Sequence, residues 1–242
     1  MKKIKRFFKL LLRSSTGTTG MVIVLGICLC AIFANQLAPH NPNEMDLMNM
    51  TKPPFWMNGG DLNNVLGTDN LGHDILSRML YGARISLIVG ILATLASGIV
   101  GMVLGLVSGY FGGLPDGIIM RVADAFFAIP GILLALVTLM VFKSSGILTL
   151  VLVIAAISWV PYARLIRSEV LRLKEKEYVK AAKTVGASSW FIIFNHILPN
   201  VWPSFIVIST MSVAGSILTE TALSFLGDRK STRLNSSHVA LS

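Results

Sequence analysis

Between Glu177 and Asn200 the chain reads EYVKAAKTVGASSWFIIFNHILPN, a polar, amphipathic stretch held between two long apolar runs. Tyr178, Ala181, Ala182 and Val185 recur at i, i+3, i+4 and i+7, so a helix carries them as one apolar stripe, with Lys176, Lys180 and Lys183 on other faces. Gly186 follows as a helix-ending residue. Ser188 or Ser189 can cap a second short helix bearing Trp190, Phe191, Ile193 and Phe194, which Pro199 is expected to end. The chemistry on offer is docking: a compact knob, with small alanines where a partner could come close. A hairpin lying on a bilayer, helped by its cations and aromatics, is the other reading of the same residues.

Catalytic and metal chemistry find little support. No Gly-Lys dipeptide occurs, so there is no Walker A loop to cradle the phosphates of ATP. His40, His73, His196 and His238 are scattered, with no HExxH pair and no Cys/His spacing suited to zinc; each reads as a surface or interface residue, and no metal site is expected. Cys28 and Cys30 sit in one apolar run on different helix faces, which implies neither a disulfide nor a metal framework. The apolar runs carry no series of carboxylates, Lys or His suited to a proton relay. Energy for moving any solute is therefore expected from outside the chain.

The elements that position the knob follow from composition. Of the 242 residues, 53% are hydrophobic and only 14% charged, and the mean hydropathy is +0.70. These values fit an integral membrane protein and not a soluble domain. The net charge of +9 gathers beside the apolar runs, which is a membrane-topology pattern and argues against a nucleic-acid partner. Five uncharged runs are long enough to cross a bilayer, predicting an all-α polytopic bundle with spans near 20–37, 85–108, 125–142, 147–163 and 201–219. Segment 1–19, with six Lys and Arg and no acid, reads as a cytoplasmic anchor. The Pro- and Gly-rich connection 38–80 has a net charge of −3 and is placed outside, whereas the stretch from Arg164 to Lys183 has a net of +4 and is placed inside.

Particular positions carry further expectations. Thr68 or Asp69 is expected to cap a helix leading into the second span, as an interfacial helix or as a surface for an extracytoplasmic partner. Gly101, Gly105 and Gly109, four apart, leave a groove where another helix can come close. Pro130 is expected to kink the third span or mark its first turns. Arg121 and Asp124 are three apart, as a helical pair at the membrane edge or as part of a gate. Glu220 closes the fifth span, reaching the interface or facing a pore. The tail 228–242, DRKSTRLNSSHVALS, lacks a helical period and reads as an appended, non-native segment.

The central stretch resembles the EAA loop of ABC-transporter permeases: Glu-Ala-Ala, three residues, Gly, nine residues, then Ile-x-Leu-Pro. Ala181, Ala182, Gly186, Leu198 and Pro199 fall on that pattern; Lys180 stands where Glu is usual and His196 where Ile is usual. LGTDNLGHDILSRMLYGARISL, GYFGGLPDGIIMRVADAFFAIP and TETALSFLG are similar to the C-type subunit of the peptide and nickel branch, with His73 in place of the usual Arg. The resemblance covers about 20–227. It implies a multi-pass subunit of the bacterial inner membrane, N-terminus inside, that moves short peptides or a related solute. It also implies a second permease subunit, two cytoplasmic ATPases that bind the ATP and Mg, and an extracytoplasmic binding protein. The chain itself would be non-catalytic and hold no cofactor. Members of the branch carry a sixth span after the LSFLG segment, which this sequence lacks. On the residues alone, a membrane scaffold with an interfacial hairpin and an ion-coupled carrier remain as other classes.

Overall fold

The computed structural model describes residues 14–142 and 146–239, with side chains described only outside 141–142 and 226–239. The basic residues before Ser14, most of the short break between the third and fourth spans, and the last three residues of the tail lie outside the described residues. The described chain is helical, with one isolated bridge between Thr68 and Asp74. It divides into two compact units after Leu87.

In the N-terminal unit, helix α1 runs Ser15–Ile32 and a short α2 runs Ala34–Leu37. The first span therefore starts earlier than its uncharged run, because Ser14 caps it, accepting from the Gly17 N–H at 3.3 Å. The hydroxyls of Thr18 and Thr19 donate back to the Ser14 and Ser15 carbonyls at 3.0 and 2.9 Å, so these polar residues fit inside the helix. The long connection holds two 3-10 turns, Leu47–Asn49 and Leu62–Asn64, capped by the carboxylates of Asp46 and Asp61.

Helix α3 then runs Ile75–Phe111 without a break. Its cap is Asp74, whose Oδ2 accepts from the Ser77 N–H at 2.8 Å, so the expectation for Thr68 or Asp69 is corrected. Those two residues fold the loop instead. Thr68 Oγ1 accepts from the Lys52 N–H at 2.9 Å, and Asp69 Oδ1 accepts from the N–H groups of Leu71 and His73, both at 2.9 Å. At 37 residues α3 exceeds the run 85–108, and its length of about 56 Å exceeds a hydrocarbon core of about 30 Å.

In the C-terminal unit, α3 turns at Gly112 and Gly113, both at positive φ, into α4, Gly113–Ala128. Helix α5 follows at Gly131–Phe142. The run expected as one span at 125–142 is therefore broken, the two helices meeting at 91°. Pro130 lacks the N–H that would continue α4 and disfavours the α conformation at the residue before it; Ile129 is accordingly extended, at φ −106° and ψ 130°.

Helix α6 runs Ile147–Lys174 with Pro161 inside it, well past the expected end at 163. Helices α7, Glu177–Thr184, and α8, Ser189–Ile192, form the knob. A wide π turn, Ile193–Ile197, joins α8 to α9, Leu198–Val239. Pro199 does not end the helix as expected. The Leu198 N–H reaches the Ile193 carbonyl five residues back, and the widened turn lets the helix pass a residue with no N–H. The tail, expected to lack helical structure, continues α9 as far as Val239.

Among the described residues, four helices are long and apolar enough to cross a membrane, or five if the bent pair counts as one span. One core cluster joins Leu106 of α3, Tyr162, Ile166, Val170 and Leu173 of α6, Val179 of α7 and Ile192 to Phe205 of the last helices. A second joins Val89 and Ala93 of α3, Ala135 of α5, Val151, Val153 and Ile154 of α6 and Leu223 of α9.

Candidate functional site

The knob is built on a Schellman turn. Gly186, at φ +86°, follows Val185 at the end of α7. Its N–H reaches the Lys183 carbonyl, and the Ala187 N–H reaches the Ala182 carbonyl, both at 3.1 Å. Ala182 and Ala187, the residues such a turn brings together, pack against the first core cluster. Ser188, of the two serines considered, then caps α8 by accepting from the Phe191 N–H at 3.3 Å.

The faces differ from the stripe read in the sequence. Val179 is the buried residue of α7, whereas Tyr178, Ala181 and Val185 are exposed, Val185 at 88%. Trp190, Phe191 and Phe194 are exposed as well, on the same knob whose Ile192, Ile193 and Ile197 are buried. Three members of that stripe thus face outward, while the fourth, Ala182, packs with Val179 on the root side. Leu198 is half-buried against the core, and Pro199 is exposed.

The two departures from the EAA pattern both have partners inside the chain. Lys180 Nζ lies 2.8 Å from Glu175 Oε2 in an exposed pair. This hydrogen bond and the nearby charge hold the Glu175 carboxyl below its usual value. The His196 ring lies 6.1 Å from Tyr178 and 5.7 Å from Phe191, bridging α7 and α8.

The knob is tied to the spans at several points. Gly101, Gly105 and Gly109 lie against α6: a Cβ at Gly101 would stand 2.6 Å from the Trp159 carbonyl oxygen, at Gly105 2.7 Å from that of Ala163, and at Gly109 2.7 Å from Val170 Cβ. Beside this seam, Arg167 of α6 holds Asp116 of α4 through Nε to Oδ1 at 2.5 Å and Nη2 to Oδ2 at 2.6 Å, and the Ser108 hydroxyl donates to the same carboxylate. Lys174 donates to the Tyr110 carbonyl at 2.7 Å, placing a cation on the C-terminal end of α3. Glu169 accepts from Ser204 of α9 at 3.0 Å. Asp116, Arg167 and Lys174 were not singled out from sequence. Their charges are visible there, but a pairing across 51 positions leaves no local signal.

Arg121 and Asp124 do not pair with each other. Asp124 accepts from Arg164 of α6 at 2.6 Å, and that guanidinium also stands 4.4 Å over the Phe127 ring. Arg121 is exposed on α4. Glu220 does not close a span: it is buried within α9, accepting from Ser224 at 2.9 Å. In the N-terminal unit His73 is 7% exposed and not a surface residue; its Nδ1 lies 2.9 Å from Asp69 Oδ2, which also accepts from Arg78 at 2.5 Å. Burial would raise the Asp69 carboxyl, but the Leu71 and His73 amides and the His73 and Arg78 side chains outweigh it and hold it well below the usual range. Among the described residues, no group of three His, Cys, Asp or Glu is placed to hold a metal.

Residues 101–236, which include the knob, the glycine seam and the charge clamp, match the family described as the inner membrane component of binding-protein-dependent transport systems. The chain belongs to this family. Residues 3–54 match the N-terminal transmembrane domain of oligopeptide transport permease C. Among curated members, the oligopeptide transport system permease protein OppC of Bacillus subtilis is 38% identical over 208 residues, 86% of this chain and 66% of that protein. The di/tripeptide transport system permease protein DppC of Pseudomonas aeruginosa is 36% identical over 224 residues, 93% of this chain and 74% of that protein. The glutathione transport system permease protein GsiD of Escherichia coli is 39% identical over 222 residues, 91% of this chain and 71% of that protein. The chain thus spans about two thirds of the length of such members of the family, a C-type inner-membrane subunit being the form it resembles throughout.

Proposed function

We propose that this chain is a permease subunit of an ATP-binding-cassette importer for short peptides or a related small solute such as glutathione, and that the knob formed by α7 and α8 couples it to a cytoplasmic ATPase. The relatives' named substrates support the solute class. The observation that carries the coupling role is the inverted stripe: Tyr178, Val185, Trp190, Phe191 and Phe194 are exposed on a knob whose root is locked into the core by Val179, Ile192, Ile193 and Ile197. An apolar face on a rigid root suits transmission of force, since a partner that moves the face must move α6 and α9 with it.

In this reading the stretch from Arg164 to Asn200 and the N-terminus are cytoplasmic, and the chain forms half of the translocation pathway. A second permease subunit supplies the other half. Two ATPases carry ATP and Mg, and a binding protein delivers solute outside. The clamp of Asp116 and Arg167 and the Lys174 contact pass motion from α6 to the corner of α3 and α4. The test is uptake of a labelled tripeptide into vesicles holding the assembled complex. Uptake should require both ATP and the binding protein; uptake driven by an ion gradient without ATP would overturn the proposal.

A further inference from the structure

A cavity of about 430 Å³ in the C-terminal unit is lined by residues of three spans: Phe126, Phe127, Ile129, Gly131 and Ile132 around the broken helix, positions between Ile154 and Pro161 of α6, and positions between Ser212 and Thr219 of α9. Its volume falls within the range of small-molecule sites. Most of the wall is apolar, but Ser158, Ser212, Ser216 and Thr219 bring hydroxyls to it from two helices. Two of these are already engaged: Ser216 Oγ lies 3.3 Å from Thr94 Oγ1, and Thr219 donates to the Gly215 carbonyl at 2.9 Å. Ser158 and Ser212 make no such bond among the described residues and are half-exposed into this space.

The break in the third span opens onto the same cavity. The Leu133 and Leu134 N–H groups both turn back to the Pro130 carbonyl. The Gly131 and Ile132 N–H groups and the last carbonyls of α4 have no partner within their own helices, as at any helix end. Pro161 has no N–H to offer the carbonyl of Ile157, another lining residue. Non-helical backbone at membrane depth is tolerated where it is buried in protein or lines a wet cavity. Phe127, which lines the cavity, also carries the Arg164 guanidinium that pairs with Asp124.

We infer that this cavity is a wet segment of the translocation path that takes the main chain of a short peptide, with Ser158 and Ser212 as hydroxyl contacts and the opened backbone around Pro130 as the amide-matching wall. Hydroxyls that both donate and accept suit a chain of alternating N–H and C=O groups, and they discriminate little between side chains. The apolar remainder holds side chains without trapping them. This inference rests on the proposed function and adds the place and chemistry of solute contact.

The test uses the assembled complex in vesicles, with Cys28→Ser and Cys30→Ser as background and Ser158→Cys or Ser212→Cys added singly. A charged, membrane-impermeant methanethiosulfonate should modify both new thiols and block uptake, and a non-hydrolysable tripeptide with binding protein and ATP should slow modification severalfold. Ser212→Trp should abolish peptide uptake while ATP hydrolysis continues. Intact import with thiols that peptide does not protect, or normal import by Ser212→Trp, would overturn this inference alone. Absence of any peptide import by the unsubstituted complex would overturn it together with the proposed function.

Discussion

Arg167 grips Asp116 with two parallel bonds, Nε to Oδ1 at 2.5 Å and Nη2 to Oδ2 at 2.6 Å, joining α6 to the start of α4. Bidentate geometry fixes both angle and distance between the groups, so the pair acts as a strut. Their side chains are 32% and 20% exposed, which keeps much of the interaction out of water. Removing one member leaves a partly buried charge unmatched. Asp116→Asn is expected to lower stability by about 1–3 kcal/mol, read as a fall in Tm in detergent. Arg167→Lys should recover only part of the loss of Arg167→Gln, because an ammonium cannot make the fork. Equal Tm values for all three variants would contradict the strut.

The glycine seam makes a sharper steric prediction. A Cβ at Gly101 or Gly105 meets backbone oxygen of α6 at 2.6 or 2.7 Å, whereas one at Gly117 meets nothing within 4 Å. Gly101→Ala and Gly105→Ala should therefore each cost about 1–3 kcal/mol by forcing helices apart. Gly117→Ala should be neutral or slightly stabilising, through helix propensity. A Tm series over the three variants checks this, and equal values would show that α3 and α6 are not in fixed register.

At Gly186 the penalty is conformational. Its φ of +86° disfavours a side chain, yet a Cβ there would meet open space. Gly186→Asn, which tolerates the left-handed region, should keep the knob folded and retain uptake; Gly186→Trp should insert normally and lose uptake. Loss of both fold and uptake in the Asn variant would mean that the turn has a role beyond its conformation.

The loop at Asp69 predicts a pH response. Because its folded carboxyl sits below the unfolded value, its contribution is present above the usual Asp range and is lost as pH falls toward the folded value. Hydrogen exchange at the Leu71 and His73 amides should therefore accelerate at acid pH beyond the intrinsic trend. Asp69→Asn should lose that excess. An unchanged excess in the variant would contradict this assignment to Asp69.

Much of this was legible in the sequence because apolar runs and turn residues are local signals. Four of the five expected spans, the Gly186 corner, a serine cap at 188 or 189 and the glycine seam all follow from spacing. The broken third span was only half legible: Pro130 announced a kink, but a proline alone does not set its angle, here 91°. The inverted stripe on α7 was not legible, since periodicity finds a face without saying which way it points. Val179, between the members of the stripe, is the buried one, in a core cluster with Leu173, Ile192 and Ile197. Long-range pairs such as Arg164 with Asp124 defeat sequence reading for the same reason. Nearness along a helix made Arg121 the obvious partner, but the packing of α4 on α6 supplied a better one.

The most direct test of the coupling claim is Val185→Asp in the assembled complex. Val185 is 88% exposed, so the substitution should leave folding within about 0.5 kcal/mol and change only the face offered to a partner. The account predicts normal membrane insertion and Tm, with ATP-driven peptide uptake lost and ATP hydrolysis no longer responsive to the loaded binding protein. Uptake and stimulated hydrolysis at unsubstituted levels would contradict it.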